Sequence, residues 1–382
     1  VISRVVEPPS LTVLRRVRYV RGVSLRQRLG RGIALVLLAL AVFWTLGEIV
    51  TRAADLVDRL NGFPRKLFVA TDEPDLGYRL RPNVDTEARG VHVVTNSLGL
   101  RGPEVARAPA PGTERVLVLG DSVAFGFRLE QGETFPVLLE QELEQRDGGS
   151  FEVLNGGVEG YNTVNQLAFL RSSLLELQPS TIVVVFNLND YDHGPVMGPL
   201  GVLTLDQSQR VKSDSLAMRS ELWLLLRWLV ATQGRVWIGQ GPAPTVTPAP
   251  GDESPFNPFD RFVSVLRKKY YAEPTDERWP RMVGALRDLA ALSRERGIRL
   301  VIAIVPDGDQ IGVASPDLTP QRKLAEVCRT LGLDCIDLQP SFAAAGDAMA
   351  GDAMLYLDIM HPNAAGQRIM ARAVAAHLLA GR

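Results

Sequence analysis

Between residues 115 and 380 the apolar positions of this 382-residue chain follow two alternating patterns. Short apolar runs without polar relief mark strands covered on both faces, at 115–119, 151–154, 181–186 (TIVVVF), 299–305 (RLVIAIV) and 334–338. Between and after them the spacing turns helical, over 133–145, 163–177, 279–296, 321–331 and 364–379. This order predicts an α/β fold, a three-layer α/β/α sandwich around a mainly parallel five-stranded sheet. Ligand sites in such sheets lie at the carboxyl ends of the strands.

Two regions break the rhythm. Residues 51–114 read as a connector and a small β-rich lead-in, with turn signals at Asp75-Leu76-Gly77, Arg81-Pro82-Asn83 and Asn96-Ser97-Leu98-Gly99 around a strand at 91–95. Ala108-Pro109-Ala110-Pro111-Gly112 reads as the linker into the main domain, 115–382. The second break is a long insertion at about 191–278. It holds the apolar stretch 222–230, too short to span a bilayer and expected to pack as core, and then six prolines within 239–258, expected to form a mobile surface loop.

Charge changes the picture only at the front. The whole chain carries a formal net charge of −1, which leaves no electrostatic footprint for nucleic acid. Residues 1–31, however, hold eight arginines (Arg4, Arg15, Arg16, Arg18, Arg21, Arg26, Arg28, Arg31) against the single acid Glu7. No charge follows from Gly32 to Gly47, and 32–50 is long enough to cross a membrane. A buried core helix should show a polar side, and a cleaved signal peptide a small-x-small site after the apolar run; neither is present. The segment is expected to be a single transmembrane helix, with the basic residues 1–31 cytoplasmic and everything after about residue 52 extracytoplasmic. In that oxidising space a bridge between Cys328 and Cys335 is permitted; a disulfide and two free thiols both stay open. The spacing of the cysteines calls for no metal, and nothing in the chain calls for a cofactor.

The candidate chemistry sits at the strand ends. Ser122 lies in Gly120-Asp121-Ser122 directly after the first strand, and Asp358 stands three residues before His361. A serine nucleophile needs a base, an orienter for that base and donors for the oxyanion. Of the four histidines, His92 falls in the lead-in strand and His377 inside a helix, both expected to be structural or exposed. His193 follows Asp190-Tyr191-Asp192 and is a candidate substrate contact at the cleft mouth. His361 precedes Pro362-Asn363, which looks like a helix start, so it projects from a loop. Asn155-Gly156-Gly157-Val158-Glu159-Gly160 and Asn189-Asp190 follow the second and third strands and offer donors.

Taken in order, these blocks resemble the SGNH/GDSL hydrolase family, whose motifs run Gly-Asp-Ser, Gly, Gly-x-Asn-Asp and Asp-x-x-His. The resemblance covers about 115–380, and the phrases at 74–80 and 96–101 look like those of membrane-anchored bacterial members. It implies a flavodoxin-like sheet, Ser122 as nucleophile, His361 as base and Asp358 as its orienter. It also implies an oxyanion hole of Ser122 N–H, Gly160 N–H and the Asn189 amide. Asn187 stands where the family commonly has glycine, and is a candidate to narrow the cleft and touch substrate. The implied reaction is cleavage of an ester on a small molecule, lipid or glycan. Acyl transfer to a sugar hydroxyl would use the same residues, as in an O-acetyltransferase or deacetylase of surface or exported polysaccharide. A non-catalytic binding factor on the same fold is the rival from another class.

Overall fold

The computed structural model describes residues 25–54, 56, 65–192, 196–197, 203–204, 220–226, 229, 256, 258–346 and 355–381. The chain divides into two units, Val1–Ala54 and Asp55–Arg382. In the first, α1 spans Leu25–Ala53, and Arg26–Ala53 is long and apolar enough to cross a membrane, with a mean hydropathy of 2.4 in its most apolar stretch. Its far end carries an Arg52–Glu48 ion pair one helical turn apart.

The second unit begins with two short antiparallel ladders. Strand β1 (Phe68–Ala70) pairs with β2 (Tyr78–Leu80), and β3 (Asp85–Ala88) with β4 (Val91–Val94). The β3–β4 turn is Arg89-Gly90, both at positive φ (55° and 84°). In the next turn Asn96 Oδ1 accepts from the N–H groups of Leu98 and Leu100, both at 3.0 Å. Gly99 has φ 74°, and a Cβ there would lie 2.7 Å from the Leu80 carbonyl oxygen, so the turn needs glycine.

The main sheet contains β5 (Thr113–Gly120), β6 (Ser150–Gly157), β7 (Thr181–Phe186), β10 (Arg299–Ile304) and β11 (Asp334–Asp337). Two-residue strands β8 (Val196–Met197) and β9 (Leu203–Thr204) form a separate ladder in the insertion. The five strands lie in the order β6-β5-β7-β10-β11, all parallel. The order reverses between β5 and β7, which makes their carboxyl ends the place for a site.

Both faces of the sheet are covered, which explains why its strands lack polar alternation. Val116, Val118, Val183, Val185, Val301 and Ala303 face one core cluster with side chains of α3 (Phe135–Asp147) and α9 (Ala364–Ala380). Leu117, Leu119, Ile182, Val184, Ile302 and Ile304 face the other, with α4 (Thr163–Phe169), α6 (Arg278–Arg296) and α7 (Thr319–Leu331). The lead-in joins this second cluster through Leu67, Phe68, Tyr78, Leu80 and Val93. Two short helices complete the set: α2 (Ser122–Phe125) follows β5, and α8 (Gln339–Ala344) follows β11.

Several expectations change in detail. The helix over 163–177 is regular only to Phe169; it widens into a π-turn at Leu170–Leu174 and tightens to a 3-10 turn at Leu175–Leu177. Within the insertion, Pro258–Ala272 forms a helix, α5, which the apolar pattern does not predict. The apolar stretch at 222–230 is only partly core, since Leu222 and Leu224 are buried while Trp223, Leu226 and Leu229 are exposed. Most of the proline-rich 239–258, read as a loop, lies outside the described residues. Cys328 and Cys335 form a disulfide that staples α7 to β11.

The chain just before the 108–112 linker is held by Arg115 of β5. Its buried guanidinium donates to the carbonyls of Ala106, Arg107 and Leu177 and pairs with Glu152. At the sheet's working edge the constraint is steric: a Cβ on Gly157 would sit 2.3 Å from Phe125 N. Gly157→Ala is therefore expected to destabilise the protein by about 1–3 kcal/mol. Urea unfolding measures this, and an unchanged midpoint would show that α2 does not need that close approach.

Candidate active site

β5 runs without a break into the Gly120-Asp121-Ser122 turn. Asp121 caps α2, its Oδ1 accepting from Val123 N–H at 2.8 Å, and Ser122 is the first helical residue. A Cβ on Gly120 would meet Ala124 Cβ at 2.6 Å and the Val185 carbonyl oxygen at 3.0 Å, so glycine lets α2 close onto β7. Gly126 ends the helix at φ 90°, and the N–H groups of Gly126 and Phe127 return to the Ser122 carbonyl at 3.0 and 2.9 Å. From the lead-in, the buried Arg101 donates to the carbonyls of Phe125 (2.9 Å), Gly126 (2.7 Å) and Leu129 (2.5 Å). The turn is thus held from two sides.

His361 arrives from a loop held by backbone bonds. Leu357 N–H donates to the His361 carbonyl and Gly308 N–H to the Ile359 carbonyl, both at 2.7 Å. Asn363 then caps α9 through Ala365 and Gly366 N–H. Arg267 of α5 reaches the same loop. Its Nη1 lies 2.8 Å from both oxygens of the buried Asp307, and its Nη2 lies 2.8 Å from Met360 Sδ.

The result is a continuous chain of contacts. Ser122 Oγ lies 2.8 Å from His361 Nε2, across 239 residues of sequence. His361 Nδ1 lies 2.8 and 2.7 Å from the two Asp358 oxygens. A carboxylate can only accept, so Nδ1 carries the proton and Nε2 is left to accept from the serine hydroxyl; this tautomer follows from the network. Asp358 Oδ1 also accepts from the N–H groups of Met360 (2.9 Å) and His361 (3.0 Å). Burial works to raise the Asp358 pKa, but these hydrogen bonds and the His361 charge outweigh it and hold the carboxyl below its ordinary value. The imidazole stacks on Phe127, with ring centroids 4.3 Å apart.

The remaining candidates fall in different places. Gly160 sits at φ 81° in the turn after β6, where Tyr161 N–H returns to the Val158 carbonyl. Asn189 is half-buried after β7, with its Oδ1 buried and without a protein partner. Asn187 is buried, and its amide donates to Asp121 Oδ2 at 3.2 Å while its Oδ1 accepts from Leu188 N–H. It is not at positive φ, so this position does not need the family's glycine for its backbone angle. His193 lies outside the described residues. His92 and His377 pair with Asp85 and Asp334, away from this chain of contacts.

Three neighbours went unread in the sequence: Phe127 under the imidazole, Arg89 over the Phe127 ring at 4.8 Å, and the Arg267–Asp307 pair behind Met360. None belongs to a motif block. Only Glu159, which accepts from Arg89, lay inside one, in the glycine-rich turn.

Two buried carboxyls lie behind the nucleophile. Burial raises the Asp121 pKa, against opposing hydrogen bonds from Val123, Asn187 and Asn189 and the charge of His361. Burial raises Asp190 further, the Asp121 charge adds to it, and hydrogen bonds from Gln166 and Thr163 oppose. A folded-state pKa above the unfolded one makes ionisation costly. The cost is absent below the unfolded pKa of about 4 and complete above the raised folded value. Asp190→Asn should therefore gain stability relative to wild type as pH rises from about 4 to about 8, by urea unfolding at each pH. An equal difference at both pH values would contradict it. For the triad, Asp358→Asn is expected to lower kcat by about 10⁴-fold with little change in KM. A loss below tenfold would remove Asp358 as the orienter.

The family model for GDSL-like lipase/acylhydrolases matches residues 118–369. An arylesterase from Vibrio mimicus is 32% identical over 83 residues, which span 22% of this chain and 41% of that relative. Among solved structures, an acetylxylan esterase from Geobacillus stearothermophilus aligns at 14% identity and TM-score 0.40, covering 69% of this chain and 94% of that one. An alpha/beta hydrolase enzyme from the metagenome of Lake Arreo, Spain, aligns at 14% identity and TM-score 0.39 with the same coverage. With two thirds of the chain matched to one family model, the protein belongs to the GDSL-like lipase/acylhydrolase family.

Proposed function

We propose that this chain is a membrane-tethered esterase that works outside the cytoplasm through a Ser122–His361–Asp358 acyl-enzyme mechanism. The observation that carries this reading is the 2.8 Å approach of Ser122 Oγ to His361 Nε2, with Asp358 on the other ring nitrogen. His361 Nε2 takes the hydroxyl proton as Ser122 Oγ attacks the ester carbonyl. Ser122 N–H, Gly160 N–H and the Asn189 amide hold the developing oxyanion. His361 then returns the proton to the leaving alcohol, and the C–O bond of the ester breaks. Water attacks the acyl-enzyme as His361 Nε2 takes its proton; the acyl C–Oγ bond then breaks, His361 returns the proton to Ser122 Oγ, and the carboxylic acid departs. Each oxyanion donor is worth roughly 10²–10³ in kcat. The substrate is a carboxylic ester borne by a small molecule, a lipid or a glycan, a reading supported by the family and by the arylesterase similarity.

The tether follows from the apolar helix and the arginines before it, which favour a cytoplasmic N-terminus. The far flank has fewer bases near the membrane, Arg52, Arg59, Arg65 and Lys66.

A fluorophosphonate probe and p-nitrophenyl acetate test the reaction together. Wild type is expected to label and to hydrolyse the ester, while Ser122→Ala does neither; equal labelling of the two proteins would sink the assignment. For the tether, the full chain is expected to stay in the membrane pellet after a high-salt wash and to leave it only in detergent. Recovery in the supernatant without detergent would rule the span out.

A further inference from the structure

Several lead-in side chains reach the active site, and one of them, Arg89, touches the ring beneath His361. Arg89, at the turn between β3 and β4, sends its guanidinium to Glu159 Oε2 (3.1 Å) and over the Phe127 ring. Phe127 in turn stacks on His361. Glu159 is the residue immediately before Gly160, so its carboxylate sits beside the turn that offers an oxyanion donor. The Glu159 side chain is only 9% exposed and its backbone carbonyl accepts from the Tyr78 hydroxyl at 2.6 Å, so the residue is held in place. A buried negative charge next to a site that must stabilise a second negative charge is a liability.

We infer that Arg89 is a positioning residue of the reaction: it neutralises Glu159 beside the oxyanion site and braces the Phe127–His361 stack. The inference rests on the catalytic roles proposed above and extends them to a segment outside the motif blocks. It makes the lead-in hairpin part of the active site rather than a spacer between membrane and enzyme.

The electrostatics around Glu159 give the inference a signature. Burial pushes its carboxyl above the ordinary value, and the charges of Arg89, His361 and Arg101 pull it back. Besides Arg89, the groups facing it are therefore Arg101 from the lead-in, His361 from the catalytic loop and the Tyr78 hydroxyl of β2. Without Arg89, Glu159 is neutral at low pH and becomes an unpaired charge beside the oxyanion as pH rises.

Steady-state hydrolysis of p-nitrophenyl acetate across pH tests this on the full chain in detergent. Arg89→Met keeps an apolar stem against Phe127 and removes the charge. It is expected to lower kcat about tenfold at high pH with KM nearly unchanged, the deficit shrinking towards low pH. Arg89→Lys should recover most of the loss. Arg89→Met/Glu159→Gln should recover kcat at every pH, because the charge that needed balancing is gone. A wild-type kcat in Arg89→Met at high pH overturns the inference. So does a pH-independent loss that neither Lys nor the double variant repairs, which would mark Arg89 as structural only. Hydrolysis by wild type that persists in Ser122→Ala overturns the catalytic reading beneath it, and is told apart because no Arg89 variant enters that comparison.

Discussion

The active site depends first on how closely three pieces of backbone meet at the carboxyl edge of the sheet. α2 lies against β6 and β7 at distances that leave no room for a Cβ on Gly120 or Gly157. That closeness sets where Ser122 points. It also brings the turns after β6 and β7 around the same spot, at the place where the strand order reverses. The parallel ladders make the arrangement stiff, since Leu119 and Gly120 of β5 are flanked by Gly156 and Gly157 of β6 and by Val184 and Val185 of β7. The nucleophile turn is therefore an extension of the sheet rather than a loop laid on it.

Around this edge the protein collects buried charge. Asp121, Glu159, Asp190 and Asp307 are all buried carboxyls within the scaffold of the site, and burial raises the pKa of each. Such groups add little to stability, because desolvation offsets their partners. Their value is in geometry. Asp121 caps α2 and holds Asn187, Asp190 ties α4 to the turn after β7, and Asp307 ties α5 to the segment after β10, whose Gly308 N–H bonds to the loop carrying His361. Asp358 differs: it is partly exposed, fully hydrogen-bonded and held below its ordinary pKa, so it stays ionised against the imidazole. One set of carboxyls holds the frame, and one bonds to the His361 ring.

Two segments outside the motif blocks also reach this frame. The lead-in sends Arg101 under the nucleophile turn and Arg89 over Phe127, and α5 of the insertion sends Arg267 behind Met360. In each case a long arginine bridges from a neighbouring element to carbonyls, a carboxylate, a ring or a sulfur. Guanidinium groups suit the task because they present several donors from one planar head.

The local signals were strong where one segment could satisfy them alone. TIVVVF is short and β-branched, as a strand covered on both faces should be, and three residues of chain suffice to bring Asp358 to the His361 ring. Gly-Asp-Ser and Asn-Asp mark strand ends because glycine and side-chain caps are what tight turns require. The apolar run in α1 was equally plain, since length and the lack of charge are properties of the segment. What sequence alone left undecided needed partners from far along the chain. The bond of Asn187 to Asp121, and the reach of Arg89 to Phe127 and Glu159, join residues far apart in the chain. The helix at Pro258–Ala272 was hidden because its neighbours in sequence are proline-rich, whereas Arg267 acquires its role only against Asp307. The sequence by itself determined the α/β order, the apolar helix and the spacing that sets Asp358 beside His361, because these are set by local periodicity and short spacing. Only the tertiary structure decided what balances the charges and braces the imidazole, because those partners meet through the packing of separate elements.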